Sequence, residues 1–320
     1  MTPASAKLVR PAIRNVRNHI FDSALWDTFD VRPDDIIIST YPKCGTTWTQ
    51  RIVGMLIFQS AAPFPVQDSS PWPDMRIFPP EMMELAKTQT HRRFLKSHLP
   101  YDALPVHEGV KFIHVARDGR DAAMSFHNHK MAMTPHVTQR VLELNAADPK
   151  FKDEIIPWPV TNDPAEHFRQ WVDGPEDEQG DIGAGFFHIE NSFWKARHEP
   201  NVLLVHYQDM KTDREGEMRR IADFLDIDIP ESLWPELVEA AGFDAMKKKA
   251  DELLPNAGMI FEGGGNTFLH KGTNGRWEGV VDPEDLARYE AKVAAQFSPA
   301  LAEWVAKGRL ATVDPRLAPD

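Results

Sequence analysis

Four short apolar runs separated by helical patterns constrain the fold of this chain more than any other feature. Each run is rich in β-branched and apolar residues at successive positions, unlike the alternation expected of a strand with one face in solvent. Parallel strands covered by helices on both sides have this pattern. The runs are residues 35–39, 93–96, 111–115 and 201–205.

Helical periodicity fills the intervals between these runs. Apolar residues recur at helical spacing in the segments that begin near Gly45 and in residues 118–130, 186–197 and 214–225. Two more helices are expected after Pro283 and Pro299, because proline is favoured in the first helical turn. The alternation predicts an α/β fold, a doubly wound domain with a central parallel sheet flanked by helices.

The length of 320 residues, of which 42% are hydrophobic, fits one domain of this kind. We expect a single domain over residues 1–320. Its parts would be an N-terminal arm or surface helix (1–34), a core (about 35–280) and C-terminal helices (281–320). Three long segments, 61–81, 131–182 and 255–279, are interpreted as loops that cover a site.

The charge balance limits the partners of the chain. Its 48 acidic and 36 basic residues give a net charge of −12, so neither nucleic acid nor an anionic membrane is expected to bind. An anionic small molecule would need a local cluster of donors. The longest apolar run, Ile52 to Phe58, is far shorter than the ~20 residues of a membrane span, and a cytoplasmic location is expected. The single cysteine, Cys44, excludes internal disulfides.

The strongest local motif is residues 39–48, between a predicted strand and a predicted helix. Ligands bind at this point of an α/β sheet. Gly45, Thr46 and Thr47 would open the helix with unpaired backbone N–H groups that attract an anion, and Lys43 adds a cation. The lysine precedes the glycine, unlike in a Walker A loop, and no Gly-x-Gly-x-x-Gly follows a strand. An ordinary polar turn is the alternative.

Three further segments could carry chemistry. Arg117 ends a predicted strand and Ser125 lies two turns into the next helix, so both could meet a phosphate; a solvated helix start is the alternative. Lys96 and His98 leave another strand end on one face, where the histidine could be a general base or a structural residue. Residues 268–277 could close over a ligand or form an ordinary surface loop.

Taken together, these segments resemble the cytosolic-type sulfotransferases. Those enzymes transfer a sulfuryl group from 3′-phosphoadenosine-5′-phosphosulfate (PAPS) to an alcohol, phenol or amine. Six segments match in the family's order, namely 41–48, 96–100, Arg117 with Ser125, 207–211, 242–247 and 271–277. The resemblance implies a P-loop-like strand–loop–helix that binds the phosphosulfate.

The resemblance also implies roles for individual residues. His98 would take the proton of the acceptor, and the remaining catalytic residues would be Lys43, Lys96 and Ser125. The donor would be bound by Lys43, Cys44, Gly45, Thr46, Thr47 and Trp48 at the phosphosulfate, by Arg117, Ser125, His270, Lys271 and Gly272 at the 3′-phosphate, and by Trp48, Tyr207, Phe243 and Met246 at the adenine. In-line sulfuryl transfer relies on positioning and charge stabilisation, and no metal is expected.

Several positions depart from the family pattern. Cys44 replaces a serine, which matters little if that residue binds through its backbone N–H and more if it binds through its side chain. His270 replaces an arginine, so the 3′-phosphate site is expected to be weaker or sensitive to pH. Residues 280–283 lack the family's dimer motif, so a homodimer is possible without that contact.

The acceptor would lie between residues 61–82 and 131–182. Its candidate lining residues are Phe64, Trp72, Phe78, Met82, Met131 and Met133. Such a lining favours an apolar or aromatic acceptor such as a phenol, steroid or lipid, although the same residues could belong to the core. Two other functions stay open, an ATP-dependent small-molecule kinase and a catalytically degenerate nucleotide-binding module.

Overall fold

The four predicted strands form one parallel sheet. A computed structural model of the chain describes residues 5–77, 81–153, 161–174 and 185–319. Its strands are β1 (Leu8–Arg10), β2 (Ile36–Ser39), β3 (Phe94–Ser97), β4 (Val106–His107), β5 (Lys111–Ala116) and β6 (Val202–His206). The parallel sheet has the order β3–β2–β5–β6, and the short strands β1 and β4 pair antiparallel outside it.

Helices follow the strands and account for most of the remaining described residues. The α-helices are α1 (Thr46–Phe58), α2 (Val66–Ser69), α3 (Glu81–Thr88), α4 (Gly119–Met131), α5 (Pro135–Ala146), α6 (Pro164–Asp173), α7 (Phe186–Lys195), α8 (Tyr207–Thr212), α9 (Arg214–Leu225), α10 (Trp234–Ala240), α11 (Phe243–Lys248), α12 (Ala250–Leu253), α13 (Ala257–Ile260), α14 (Gly264–Phe268), α15 (Pro283–Gln296) and α16 (Pro299–Lys307). Short 3₁₀ turns occupy Ser23–Thr28, Tyr101–Ala103, Glu231–Leu233, Arg309–Ala311 and Pro315–Leu317. The helices predicted after Pro283 and Pro299 are confirmed.

Both faces of the sheet are covered, as the apolar runs predict. On one face, α1, α9 and α10 pack against side chains that include Ile36 and Ile38. On the other face, α4, α7 and α16 pack with Ile37 and Phe112. Successive residues of a strand point to opposite faces, so an uninterrupted apolar run supplies two cores at once.

The interpretation of residues 131–182 as a long loop is wrong, because α5 and α6 lie within it. Each of these helices begins with a proline, at Pro135 and Pro164. Proline in the first turn starts a helix, since the N–H that it lacks would be unpaired there. The Asp163 side chain caps α6 by accepting from the Ala165 N–H. The single-turn helices α2, α13 and α14 similarly interrupt the other two predicted loops.

The N-terminal segment is an arm and not a surface helix. Residues 5–34 contain β1 and one 3₁₀ turn. Trp26 in that turn is buried, and its indole N–H donates to the Asp74 carboxylate at 2.9 Å. The arm is therefore fixed to the segment that precedes β3. Within the described residues, no helix has the length and apolarity needed to cross a membrane.

Candidate active site

The carboxyl ends of three neighbouring strands bring the predicted segments together. Ser39 at the end of β2 is in register with Ser97 of β3 on one side and with His114 of β5 on the other. Lys43, His98 and Arg117 each follow the end of one of these strands. The parallel topology therefore places them at the same edge of the sheet, as the sequence predicts.

The loop between β2 and α1 has the shape of an anion cradle. Lys43 and Gly45 both have left-handed backbone conformations, with φ of 70° and 114°. A Cβ atom on Gly45 would lie 3.1 Å from the Tyr207 ring, so both the conformation and the space favour glycine. No side chain caps the first turn of α1. Its first N–H groups are directed toward the loop, where they would attract an anion.

The hydroxyl groups of the loop differ in their availability. Thr40 donates to the Tyr41 carbonyl, so Thr46, 2.6 Å away, must donate to the Thr40 oxygen. The Thr46 hydroxyl proton is therefore already used, whereas Thr47 is half-buried and makes no hydrogen bond through its side chain to any described residue. Thr47 is the better hydroxyl donor for a ligand.

The Cys44 side chain is directed into the core. It is fully buried in the apolar cluster that includes Ile37 and Phe112. Burial raises the pKa of its thiol well above the ordinary value. The thiol is therefore not available to a donor, which leaves the backbone N–H, and in this structure that N–H donates to the Tyr41 carbonyl at 3.3 Å.

Lys43 lies between the loop and α4. Its Nζ is 3.3 Å from Nδ1 of His129 and 4.4 Å from the centre of the Phe268 ring. Burial and the nearby Arg117 guanidinium lower the pKa of the Lys43 ammonium to about 7. A lysine of this kind is a charged donor at mildly acidic pH and loses its proton easily.

His98 is 7% exposed and has a defined tautomer. Its Nδ1 lies 2.6 Å from the Thr40 carbonyl oxygen. A carbonyl can only accept, so Nδ1 carries the hydrogen and Nε2 carries the lone pair. Burial, followed by the charge of Lys96, holds the pKa of His98 well below its usual value. His98 is therefore a neutral imidazole with a basic nitrogen, which is the form a general base requires.

Lys96 and Trp72 lie next to His98. Lys96 Nζ is 3.6 Å from the centre of the Trp72 ring, and the Trp72 and His98 rings meet edge to face with centres 4.8 Å apart. Burial and the charge of Lys43 lower the pKa of Lys96 to about 7. A desolvated cation–π contact is worth about 2 kcal/mol, so Trp72 helps to hold Lys96 in place.

Asp74 positions this group, and sequence reasoning missed it. Its buried carboxylate accepts hydrogen bonds from the Trp72 indole at 2.6 Å, the Trp26 indole at 2.9 Å and the Ser97 hydroxyl at 2.7 Å. Burial raises the pKa of Asp74 to about 6 despite these bonds. An acid between a proline and a methionine gives no local signal; only the folded loop brings its three donors together.

Arg117 ties the first loop to residues 270–277, here called the clamp loop. Its guanidinium donates twice to the Asn274 side-chain oxygen, once to the Thr273 carbonyl and once to the Lys43 carbonyl. Its charge also lies 4.3 Å from the centre of the Tyr207 ring. Arg117, which is predicted to bind a phosphate, is thus hydrogen-bonded to two loops in this structure.

Other side chains fix the backbone of the clamp loop. The Asp121 carboxylate accepts from the N–H groups of Gly275 and Arg276, Lys211 donates to the Gly272 carbonyl at 3.1 Å, and Lys247 donates to the His270 carbonyl at 2.7 Å. Ser125 is half-buried on α4, one turn after Asp121 and one turn before His129. This spacing places it on the same face of α4, between the clamp loop and Lys43.

The clamp loop contains features that suit an anion. Gly272 has φ of 63°, and a Cβ there would lie 2.5 Å from the Phe243 ring. The His270 Nδ1 atom is buried without a hydrogen-bond partner among the described residues. Burial and the charges of neighbouring cations lower the pKa of His270. Lys271 is exposed and can turn toward a ligand.

The predicted adenine residues surround the start of α1. The Trp48 indole donates to the Ala241 carbonyl at 2.8 Å, and its ring meets the Tyr207 ring edge to face at 5.4 Å. Met246 is buried in an apolar cluster against which Trp48 also packs. Phe243, the last predicted member, packs against Gly272.

The candidate acceptor residues separate into different environments. Trp72 lies beside His98, whereas Phe64 packs against Phe58, Phe94 and Gly54 on the far side of α1. The other positions are distributed as follows: Met133 is bridged to Phe261 and partly buried, Met131 is 45% exposed at the end of α4, Phe78 lies outside the described residues, and so does the side chain of Met82. Of the described members of this set, the structure therefore brings only Trp72 next to His98.

The fold and this site define a transferase of the sulfotransferase class. The sulfotransferase domain family matches residues 33–299. The chain therefore belongs to the sulfotransferase family and is a sulfotransferase enzyme, which confirms the resemblance drawn from its motifs.

Individual relatives cover nearly the whole chain. A glycolipid sulfotransferase of Mycobacterium bovis (strain BCG / Pasteur 1173P2) is 34% identical over 312 residues, which are 92% of this chain and 94% of that protein. Sulfotransferase 1A1 of Rattus norvegicus is 27% identical over 277 residues, with coverages of 83% and 85%.

Two solved structures share the fold. The mouse sulfotransferase SULT7A1 complexed with PAP (3′-phosphoadenosine-5′-phosphate) has a TM-score of 0.64 at 20% identity. The match covers 88% of this chain and 90% of that chain. Retinol dehydratase in complex with androsterone and the inactive cofactor PAP has a TM-score of 0.63 at 22% identity, with coverages of 86% and 84%. The predicted α/β fold is confirmed.

Proposed function

We propose that this enzyme transfers the sulfuryl group of PAPS to a hydroxyl group of a small apolar or aromatic acceptor, with His98 as the base. The observation that carries the proposal is the 2.6 Å contact between His98 Nδ1 and the Thr40 carbonyl. It fixes the lone pair on Nε2 at the sheet edge where the two lysines Lys43 and Lys96 also lie.

The residues of the site fit PAPS as the donor. The uncapped start of α1 with Gly45 supports a phosphosulfate site, and the unpaired, buried Nδ1 of His270 supports a second polar subsite at the clamp loop. Trp48 and Tyr207 offer aromatic faces for the base. Both solved structures that share the fold are complexes with PAP. PAPS supplies an activated sulfuryl group on a phosphate that leaves as an anion.

Each side chain then has one task. His98 Nε2 takes the proton of the acceptor hydroxyl, which makes the oxygen a better nucleophile. Lys43 stabilises the negative charge that develops on the leaving phosphate, and Lys96 stabilises the transferred group. Ser125 and Arg117 would bind the 3′-phosphate. None of these tasks requires a metal ion, and we propose that the reaction proceeds without one.

The acceptor is best described by the rings that face His98. Phe21 and Trp72 have ring centres 5.9 Å and 4.8 Å from that of His98. An acceptor hydroxyl must therefore approach past aromatic surface, which favours an apolar body. The relative from Mycobacterium bovis is a glycolipid sulfotransferase by name, and we propose that lipid hydroxyls should be the first acceptors tested. A cytoplasmic site of action is part of the same proposal.

A panel of acceptors tests this function. Phenols, steroids, lipids and sugars would each be incubated with PAPS and the purified enzyme, and sulfated product measured by mass spectrometry. We expect sulfation of lipid or aromatic hydroxyls without added magnesium. Parallel reactions with ATP and magnesium test the kinase alternative. Phosphorylated product with ATP, or PAP binding without transfer to any acceptor, would contradict the proposal.

A further inference from the structure

His129 contacts the donor-site lysine, although no motif of the sequence analysis includes it. Its Nδ1 is 3.3 Å from Nζ of Lys43. His129 lies in the last turn of α4, on the same face as Asp121 and Ser125. This face of α4 therefore contacts both the clamp loop and residues 40–45 between β2 and α1, here called the phosphosulfate loop.

The ring of His129 is held in one orientation. Aromatic rings surround it: Phe126 stacks on it with centres 6.1 Å apart, and Phe261 and Phe268 lie at 4.7 Å and 5.9 Å. Packing of this kind favours one orientation of the ring. In that orientation Nδ1 faces Lys43.

His129 accepts in this contact. When Lys43 is charged, its ammonium has no lone pair, so the imidazole nitrogen must supply one. Burial and the positive charge of Lys43 hold the pKa of His129 well below its usual value, in agreement with a neutral ring. Nδ1 then bears the lone pair and Nε2 bears the hydrogen.

Apart from the Phe268 ring, whose centre is 4.4 Å from its Nζ, Lys43 has little other support for its charge. No described carboxylate forms an ion pair with it, and the charged or titratable groups that face it from the neighbouring elements are Arg117, Cys44, Lys96, His98, His129 and His270. Most of these groups are cationic or become so on protonation. A neutral acceptor is therefore what keeps the ammonium in the site before a donor binds.

We propose that His129 is a positioning residue of the transfer reaction, whose Nδ1 lone pair holds the Lys43 ammonium at the phosphosulfate loop. This inference rests on the proposed function of Lys43. It adds a residue from α4, well outside the loop that contains the lysine, to the machinery of sulfuryl transfer. His129 does not touch the reacting atoms; it acts through Lys43.

Two substitutions separate the acceptor from the ring. His129→Phe keeps an aromatic ring in the cavity and removes the acceptor, whereas His129→Asn keeps an acceptor atom near the position of Nδ1. Loss of a hydrogen bond to a charged group favours the uncharged amine, so the pKa of Lys43 should fall in His129→Phe and be restored in His129→Asn. His198→Phe, at an exposed position beyond α7, is the matched control.

The pKa of Lys43 can be measured directly by NMR titration of lysine labelled with ¹⁵N at the side-chain nitrogen, assigned with Lys43→Arg. In turnover, we expect His129→Phe to lower kcat roughly 10-fold and His129→Asn to recover most of it, with the acceptor KM little changed. The alkaline limb of kcat/KM for PAPS should move to lower pH in His129→Phe alone.

The proposal is overturned if the Lys43 pKa is the same in the wild type, His129→Phe and His129→Asn, or if both variants lose activity equally, because then only the packing of the ring matters. Failure of the proposed function would look different. The wild type would transfer no sulfuryl group to any acceptor, while the titration of Lys43 would still report the contact with His129.

Discussion

Two halves of the site use positive charge in opposite ways. Lys43 and Lys96, here called the transfer lysines, are half-buried beside neutral histidines and aromatic rings, and desolvation lowers the pKa of each to about 7. Arg117 faces the clamp loop instead and spends its donors on backbone and amide oxygens. The two lysines therefore make few hydrogen bonds and are close to losing their charge. The Arg117 guanidinium keeps its charge and uses four of its five N–H groups to hold two loops together.

The largest expected effect is the loss of the base His98, which lies beside the transfer lysines. His98→Ala should lower kcat by ~10²–10⁴-fold while PAP affinity stays unchanged, because the base is lost and the donor site is not. Steady-state kinetics and calorimetry with PAP measure the two effects. His198→Ala, which changes an exposed histidine, is the control. A variant of His98 with wild-type kcat would contradict its role as the base.

The clamp half is tested by Arg117→Ala. We expect PAP binding to weaken roughly 10- to 100-fold, since a charge-assisted contact to the 3′-phosphate is removed. Adenosine 5′-phosphate, which lacks the 3′-phosphate, should lose much less. Arg140→Ala changes an arginine of α5 whose side chain is 40% exposed, and it controls for charge. Equal losses for the two nucleotides would mean that Arg117 does not serve the 3′-phosphate.

Asp74 tests the half of the site that contains the transfer lysines, because its carboxylate holds Trp72 beside Lys96. Asp74→Asn keeps the shape but weakens the bonds to the two indoles and Ser97, so Trp72 should lose its fixed position over Lys96. We expect kcat to fall roughly 10-fold and the affinity for PAP to stay the same. A thermal melt checks that the variant is folded. Wild-type kcat would show that Trp72 needs no such anchor.

The pH dependence of kcat/KM for PAPS follows from the same groups. His98 has a lowered pKa, so its neutral form is present throughout the physiological range and its acidic limb lies far below pH 6.5. The transfer lysines are charged below about pH 7 and lose their charge above it. The value of kcat/KM for PAPS should therefore fall as pH rises through about 7. Lys43→Arg, which stays charged, should weaken this decline. An unchanged profile in Lys43→Arg would mean that another group causes the decline.

The smallest effect concerns Cys44. Because its side chain is fully buried, a maleimide should not label the native enzyme, with or without PAP. Labelling should appear only after unfolding in guanidinium chloride, as mass spectrometry would show. Fast labelling that PAP prevents would place the thiol in the donor site and contradict the orientation described above.

The fold, and the sheet edge at which the candidate residues meet, could be predicted because both depend on local patterns. Two-sided apolar runs specify covered parallel strands, and such strands bring their carboxyl ends together. The motif around Lys43 could therefore be predicted to lie next to those of His98 and Arg117 before any contact was known, and the strand register agrees.

Sequence patterns were insufficient where the chain returns to the site from a distance. Asp74 contacts Trp72 and His129 contacts Lys43, and no spacing rule connects the members of either pair. Phe64 shows the opposite problem: an aromatic residue in a proline-rich segment looks the same whether it lines a ligand site or packs on Gly54 of α1.

The hydrogen bonds of Arg117 have one more consequence. A guanidinium has five N–H groups, and the four bonds to Asn274, Thr273 and Lys43 leave one for anything else. A phosphate that takes two of these N–H groups must therefore displace at least one bond, either to the clamp loop or to the Lys43 carbonyl. Where the displaced partner is Asn274, that side chain would compete with the phosphate, and its substitution would change the affinity for the nucleotide without removing a contact to it.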